Sequence, residues 1–190
     1  MSFRLTRCTA IAGLLALGCM TGAYSAQYHQ VNAGASQISF TYDQMGQRVY
    51  GTFGQFSATL DFDTMHPEAA HAGLVIELAS IDAGSEDANG QLQEPGWFNS
   101  AVYPQARFES SRVKALGDNR YEVVGQLSLK GITREVRVPV SLSPESGIGV
   151  FSGELTLNRA DFDVGKGEWA GDSVVSNEIA IKFRVVAPQQ

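Results

Sequence analysis

Apolar and polar residues alternate along most of the chain between residues 37 and 185, in a series of short runs. In the clearest run, Tyr121 to Leu129, every second residue is apolar or glycine. Because successive side chains of a β-strand point to opposite faces, each run predicts a strand with one buried face. The predicted strands cover residues 37–42, 56–62, 74–78, 121–129, 136–142, 150–157 and 175–185.

Turn-forming residues separate these runs at 65–68, 117–119 and 143–147. Gly, Pro, Asn and Asp supply the backbone angles that tight turns require. Only Ser85–Phe98 is predicted to hold a short helix or a structured excursion, and no linker or repeat divides the chain. Long antiparallel strands joined by short turns favour an all-β, up-and-down barrel of about eight strands, with a two-layer sandwich as the alternative.

The first 26 residues have the order of a secretory signal. Arg4 and Arg7 precede an apolar run at 8–20, and small residues follow up to Ala26. The apolar run is shorter than the roughly 20 residues that span a bilayer. We therefore predict a cleaved signal peptide at 1–26 and a single domain at 27–190, with cleavage after Ala23 or Ser25 as alternatives. Anchoring as a lipoprotein at Cys19 is a further alternative, because residues 15–19 are similar to a lipoprotein box.

Cysteine content and charge exclude several classes of protein. Both cysteines, Cys8 and Cys19, lie in the predicted leader, so the mature domain has neither a disulfide nor a thiolate metal site. The net charge of the chain is −6, and no cluster of Lys and Arg offers a surface for nucleic acid. We therefore expect no nucleic-acid partner.

The titratable residues form no pattern typical of a catalytic or metal site. The chain has no Gly-x-Ser-x-Gly segment and no His in its C-terminal half. The histidines have poor spacing for a metal and are expected in solvent: His29, His66 and His71. The acids of the excursion are expected to be solvated as well: Glu86, Asp87 and Glu94. The sequence predicts no enzyme, no metal and no cofactor.

Five segments resemble, in order, those of the YceI-like family. They are Ser36–Phe40, Val49–Phe56 with Gly-x-Phe-x-x-Phe, Tyr103–Ser110 with Tyr-Pro-x-x-x-Phe-x-Ser, Gly125–Thr133 with Gly-x-Leu-x-x-x-Gly-x-Thr, and Asn158–Phe162 with Arg-x-Asp-Phe. The resemblance extends from about residue 28 to residue 186. Two positions differ from the family pattern: Ala35 stands where a His is frequent, and Glu86-Asp87 where Arg-Asp is frequent. We expect both positions at the mouth of a cavity.

The resemblance implies a lipocalin-like barrel, usually periplasmic, with a long apolar cavity for polyisoprenoids or isoprenoid quinones. Members of the family are not generally regarded as enzymes, and some relatives are linked to membrane di-haem cytochromes. The residues alone leave open whether the interior is packed or hollow, because both use the same residue types. The resemblance favours a hollow interior.

We therefore expect a periplasmic carrier of an isoprenoid lipid. Its expected partners are that lipid, transiently the membrane or a membrane cytochrome, and, as an open alternative, a second copy of the chain. A filled barrel acting as a stress-response or protein-interaction module is the competing hypothesis, and an enzyme acting on lipid through buried carboxyls is a third. Trp97 and Phe98 are expected to form part of a lid. The residues expected to line the cavity are Ile38, Phe40, Phe53, Phe56, Leu60, Leu74, Ile76, Leu78, Trp97, Phe98, Phe108, Leu127, Leu129, Val138, Phe162, Ile179, Ile181 and Phe183.

Overall fold

The structure, a computed structural model, describes residues 25–190. The predicted leader, with Cys8 and Cys19, lies outside the described residues except for Ser25 and Ala26. These two residues lead into the first strand, and the backbone N–H of Ala26 donates a hydrogen bond to Thr64 Oγ1 at 3.0 Å.

The described chain forms one antiparallel sheet of eleven strands and one α-helix. The strands are β1 (Gln27–Tyr28), β2 (Gln37–Gln44), β3 (Gln47–Phe53), β4 (Phe56–Asp63), β5 (His71–Glu77), β6 (Ile81–Asp82), β7 (Gln105–Gly117), β8 (Arg120–Leu129), β9 (Ile132–Glu145), β10 (Ile148–Asn158) and β11 (Glu178–Pro188). The helix α1 covers Glu86–Gln93. Short 3-10 turns lie at Ala33–Ala35, Pro67–Ala69, Leu78–Ser80, Arg159–Phe162 and Gly167–Trp169.

The sheet curls into a barrel because its two ends are joined by one bent strand. The spatial order is β1-β4-β5-β7-β8-β9-β10-β11-β2-β3-β6, so β3 and β4 lie near opposite ends of the sheet. Both run in the same direction and are separated only by Gly54 and Gln55. The first half of this bent strand pairs with β2 and the second half with β5. Counted as one strand, β3 and β4 complete a barrel of eight, and the all-β, up-and-down prediction is confirmed.

The two short strands cover the open flanks of the bent strand. Thr52 and Phe53 of β3 pair with Asp82 and Ile81 of β6. The second half is flanked by β1, where Tyr28 pairs with Phe62. An unpaired strand edge can pair with another chain. By pairing with the bent strand, β1 and β6 cover its free edges and complete the wall of the barrel.

The sequence prediction missed four strands, the long strands β3 and β7 and the two-residue strands β1 and β6, and it extended two strands past an observed end. Both β3 and β7 overlap family-like segments but were not predicted as strands. In β7 a register shift between Ser110 and Arg112 interrupts the alternation. Leu78 was predicted inside a strand, but the chain turns there, and its N–H donates to the carbonyl of Pro104 at 2.9 Å. Val175 was also predicted inside a strand, but β11 begins at Glu178 and Val175 makes only an isolated bridge with Gln44.

One end of the barrel is closed by packed side chains, here called the floor cluster. Its rings meet edge to face: Tyr28 with Phe151 at 5.3 Å between centroids, and Phe62 with Tyr121 at 5.0 Å. Such arrangements are favourable because the edge of one ring faces the negative face of the other. The buried members of the floor cluster are Tyr28, Phe62, Val113, Tyr121, Val123, Val136, Val138, Leu142, Phe151 and Ala187.

The other end is covered by two segments, 86–104 and 159–177, here called the cover. Helix α1 begins after Ser85, whose side-chain oxygen accepts a hydrogen bond from the N–H of Ala88 and caps the first turn. The N–H groups of Gly165 and Lys166 both donate to the carbonyl of Gly96 at 2.8 Å and join the two segments. The predicted excursion around 85–98 is thus confirmed as a helix and its following loop, and it forms half of the cover.

Candidate functional site

An apolar cavity of about 310 Å³ lies inside the barrel, between the floor cluster and the cover. It is bordered by inward-facing side chains of every long strand and by Trp97, Phe98 and Phe162 of the cover. Leu127, Leu155 and other inward residues beside it are only half-buried, because they border this empty space. The interior is therefore hollow in its middle and packed at the floor.

The structure brings together the residues predicted to line the cavity, with one exception. All except Phe56 border it. Phe56 belongs to the inward row of β4 but occupies the first position of the strand, beyond the cavity. Its inclusion in the predicted set was wrong, because alternation identifies the face of a strand but not how far the cavity extends along it. That the remaining residues bind a ligand stays a prediction.

Two sequence features expected together at a cavity mouth lie at opposite ends of the barrel. Ala35 precedes β2, whose Gln37 pairs with Arg184 near the floor end. Glu86 and Asp87 begin α1 in the cover. The expectation of a shared mouth was wrong, because strand direction, which alternation does not reveal, separates the two segments.

Arg159 is the charged residue of the cavity wall that the sequence prediction left out. It begins the 3-10 turn after β10, and only 5% of its surface is exposed. Its guanidinium donates hydrogen bonds of 2.7–3.0 Å to six backbone carbonyl oxygens, those of Val164, Gly165, Trp169, Gly171, Val175 and Ser176. The signal for it was the Arg-x-Asp-Phe segment, which predicted a turn but not a buried cation.

Through these contacts Arg159 holds the backbone of residues 164–176 in place and so stabilises the cover. Because a guanidinium has five N–H groups, the six carbonyls leave it no donor for a ligand. Burial lowers the pKa of Arg159, and the charge of Asp172 partly offsets that effect. The guanidinium carbon lies 5.5 Å from the centre of the Trp97 ring, a cation–π contact with the other segment of the cover. Trp97 in turn packs on Trp169, with 5.7 Å between the ring centroids.

Hydroxyl groups are the other polar feature of the interior. Tyr121 borders the cavity at the floor, and Tyr42 borders it near the cover. Burial raises the pKa of both phenols, and for Tyr121 the neighbouring charge of Tyr28 raises it further. The hydroxyl of Tyr28 is buried and has no hydrogen-bond partner within residues 25–190.

The acids and histidines considered as candidate chemistry lie at the surface of the described chain. Glu86, Asp87 and Glu94 are exposed along an open cleft between α1 and residues 166–169. His71 lies 3.2 Å from Glu109 in an exposed pair. Within residues 25–190 no group of three or more His, Asp or Glu side chains is placed to hold a metal ion. In the same part of the chain no helix has the length and apolar character needed to cross a membrane.

Residues 29–187 match the YceI-like domain, which leaves only the two ends of the chain outside the match. The chain belongs to the YceI-like family. Among its relatives is a UPF0312 protein of Photorhabdus laumondii, 32% identical over 152 residues, which cover 74% of this chain and 79% of the relative. A UPF0312 protein of Azotobacter vinelandii is 29% identical over the same shares of the two chains.

Solved structures of this family share the barrel. The crystal structure of BcnA from Burkholderia cenocepacia superposes with a TM-score of 0.81 at 37% identity and covers 83% of this chain and 99% of BcnA. A polyisoprenoid-binding domain from Saccharophagus degradans, implicated in plant cell wall breakdown, superposes with a TM-score of 0.65 at 18% identity. It covers 86% of this chain and 99% of the domain, and at this identity the likeness concerns the fold alone.

Proposed function

We propose that this protein is a periplasmic carrier or scavenger of an isoprenoid lipid, either a polyisoprenoid or an isoprenoid quinone. One observation carries the proposal: an apolar cavity of about 310 Å³ inside a barrel whose floor is closed by aromatic packing. The polyisoprenoid-binding domain from Saccharophagus degradans, which has the same fold, supports this choice of lipid class.

The physical task of such a carrier is to shield an apolar tail from water. Burial contributes about 25 cal/mol per Å² of apolar surface, so a tail that buries about 300 Å² gains about 7.5 kcal/mol before the costs of association. No catalytic group is needed for this, and the proposal assigns none. The competing hypothesis of a filled-barrel module requires a packed interior, and the cavity argues against that hypothesis.

Export is part of the proposal because a lipid needs such shielding where it must cross an aqueous compartment. The basis is the leader-like order of residues 1–26. Fractionation of cells, with sequencing of the mature N-terminus, tests it. A mature protein in the periplasmic fraction that begins between residues 24 and 27 is the expected result. Retention in the cytoplasm with an intact N-terminus would contradict it, and a lipid on Cys19 would replace the soluble carrier by an anchored one.

Native mass spectrometry of the protein purified from cells tests the choice of ligand. We expect an adduct whose released component is an isoprenoid lipid. A delipidated sample is then titrated with an isoprenoid quinone while tryptophan fluorescence is followed, because Trp97 borders the cavity. A protein that carries no adduct and whose fluorescence is unchanged by the quinone would refute the proposal.

A further inference from the structure

The strands β9 and β10 are not paired along their whole length. Residues 140–145 of β9 pair with residues 148–153 of β10, and the pairing ends there. Toward the cover, β9 stays paired with β8 as far as Ile132, and β10 stays paired with β11 as far as Asn158. Residues 132–139 and 154–158 therefore border a gap without a backbone ladder, which is here called the β9–β10 split.

Pro139 explains where the split begins. The last pair of the ladder joins Val140 to Gly153, and Pro139 is the next residue of β9 toward the cover. A Cβ placed on Gly153 would lie 2.2 Å from the Pro139 carbonyl oxygen and 2.5 Å from Cζ of Phe183, so the Pro139 carbonyl is directed at β10. The N–H and C=O of one strand residue point to the same side. Because proline has no N–H, the ladder loses its donor on the β10 side at this position.

The split leads directly to the cavity. The inward residues at its two edges all border the cavity: Val136, Val138, Leu155 and Leu157. Arg134 belongs to the same row of β9, because its partner on β8 is Leu127, which also borders the cavity. Arg134 is nevertheless exposed. The inner face of β9 therefore reaches solvent at the split.

The other boundaries of the cavity are held more firmly. The floor cluster is closed by packed aromatic rings. The cover is held by the six hydrogen bonds that Arg159 donates and by the two that the carbonyl of Gly96 accepts. At the split, by contrast, the two strands can move apart without breaking a backbone ladder.

One side chain bridges the split at the end next to the cover. Nζ of Lys130 donates a hydrogen bond of 2.7 Å to the carbonyl oxygen of Asp163, which follows β10. Lys130 and Gly131 form the turn between β8 and β9, with φ of +51° and +76°. Two-residue turns of this kind favour Asn, Asp or Gly at the first position. Lysine is a poor residue for the turn itself, so the contact across the split gives a physical reason for its presence.

We propose that the β9–β10 split is the passage through which a lipid enters and leaves the cavity, and that the contact between Lys130 and Asp163 is the latch that holds it closed. The inference rests on the proposed function and deepens it, because it assigns the route of exchange. A tail that enters sideways between the two strands requires neither the floor nor the cover to open.

Cross-linking the split tests the passage, and residues 27–190 contain no cysteine that would interfere. Arg137→Cys with Thr156→Cys places one thiol on the outer face of each strand, three residues beyond the last pair. A short bis-maleimide then joins the strands, and the same protein before reaction is the reference. Glu154→Cys with Lys182→Cys is the matched control, because it joins the paired strands β10 and β11.

Exchange is measured with a short-tailed isoprenoid benzoquinone and delipidated protein. Stopped-flow quenching of tryptophan fluorescence gives the association rate, and transfer of the quinone to excess phosphatidylcholine vesicles gives the dissociation rate. We expect the cross-link across the split to slow both rates at least about tenfold and to change the affinity much less. The control cross-link should change neither rate. Unchanged rates after complete cross-linking of the split would overturn the passage.

Lys130→Asn tests the latch, because Asn suits the turn and cannot reach Asp163 as lysine does. Association and dissociation should both become about threefold faster, while the affinity stays within about twofold of wild type. Lys130→Arg retains a long side chain with donors and should restore rates close to those of wild type. Rates that are unchanged in Lys130→Asn would overturn the role of Lys130.

A cross-link within the cover distinguishes the split from the other route. Glu94→Cys with Glu168→Cys joins the two cover segments across their open cleft. We expect exchange rates to be unchanged, whereas slow exchange in this protein alone would place the passage at the cover and overturn the inference. Either result leaves the carrier proposal in place. Absence of quinone binding by the folded, unmodified protein would overturn both proposals.

Discussion

The guanidinium of Arg159 stacks on the ring of Trp97, 5.5 Å from its centre, and so joins the two segments that cover the barrel. Arg159 forms no ion pair with a carboxylate of residues 25–190 and is held by backbone carbonyl dipoles instead. A buried cation without such partners is costly, so the loop 159–177 and Arg159 stabilise each other.

Arg159→Met keeps much of the side-chain volume but removes the charge and every donor. The six carbonyls then lose their partner, and each buried unsatisfied group costs about 1–3 kcal/mol. We expect the free energy of unfolding in urea to fall by at least about 3 kcal/mol. Arg112→Met, an exposed change, is the control and should stay within about 0.5 kcal/mol of wild type. Equal stability of the two variants would contradict the role assigned to Arg159.

Leu155→Trp should block the cavity without unfolding the barrel. Leu155 faces the cavity from β10, so a larger side chain has empty space to enter, and we expect destabilisation below about 1.5 kcal/mol. Uptake of isoprenoid quinone, measured by fluorescence titration, should be lost. Thr156→Trp, one residue along on the outer face, is the matched control and should bind as wild type does. Normal uptake by Leu155→Trp would show that the lipid binds elsewhere.

The two tryptophans should differ as reporters of a bound quinone. Trp97 borders the cavity, whereas Trp169 does not border it and packs against Trp97 within the cover. Quinone quenching should therefore persist in Trp169→Phe and become much weaker in Trp97→Phe. Calorimetric titration of both variants serves as the check that binding itself is retained. The reverse order of quenching would place the quinone on the outer side of the cover.

Tyr28→Phe should stabilise the protein. The Tyr28 side chain is fully buried, and its hydroxyl has no hydrogen-bond partner in the described chain. An unpartnered buried hydroxyl costs about 1–3 kcal/mol, and removing it keeps the ring contacts with Phe151. We expect the free energy of unfolding at neutral pH to rise by about 1 kcal/mol. A loss of stability in the urea titration would mean that the hydroxyl is hydrogen-bonded in solution.

Alkaline pH should destabilise the barrel through the floor tyrosines. Burial raises the pKa of Tyr28 and Tyr121 above the ordinary value of about 10. Below pH 10 both phenols are neutral in the folded and unfolded states; above pH 10 the unfolded state ionises first, so the free energy of unfolding falls as pH rises through the folded-state pKa. Lys130 has the opposite effect, because burial lowers its pKa. Its contribution to the free energy of unfolding therefore increases as pH rises from the folded-state pKa to the unfolded-state pKa of this lysine.

Comparison of two proteins isolates the tyrosine effect from that of Lys130. Unfolding free energies of wild type and of the Tyr28→Phe, Tyr121→Phe double variant are measured between pH 8 and pH 11. The fall above pH 10 should be smaller in the double variant, and the Lys130 contribution cancels in the difference. Parallel curves would show that these phenols do not govern the alkaline transition.

The sequence predicted the fold because alternation is a local property. The inward row at Leu127 and Leu129 and the row at Ile179, Ile181 and Phe183 could be read directly, since neighbouring side chains of a strand must point to opposite faces. The strand β7 was missed where the register shift at Ser110 breaks that pattern. Phe56 was assigned to the cavity wrongly for a related reason. Alternation shows that Phe56 lies on the inward face of β4, but nothing in the sequence shows where along that face the cavity ends.

By itself, the sequence determined the all-β class, the inward faces and the family. Only the tertiary structure decided where the interior is empty, because volume depends on strands that are distant in sequence. The bent strand at Gly54–Gln55 closes the barrel, the register of β10 with β11 places the Phe183 ring on Gly153, and the turn after β10 carries Arg159 under Trp97. Each of these depends on how the strands are wrapped and paired, a long-range property that a pattern repeating every two residues does not contain.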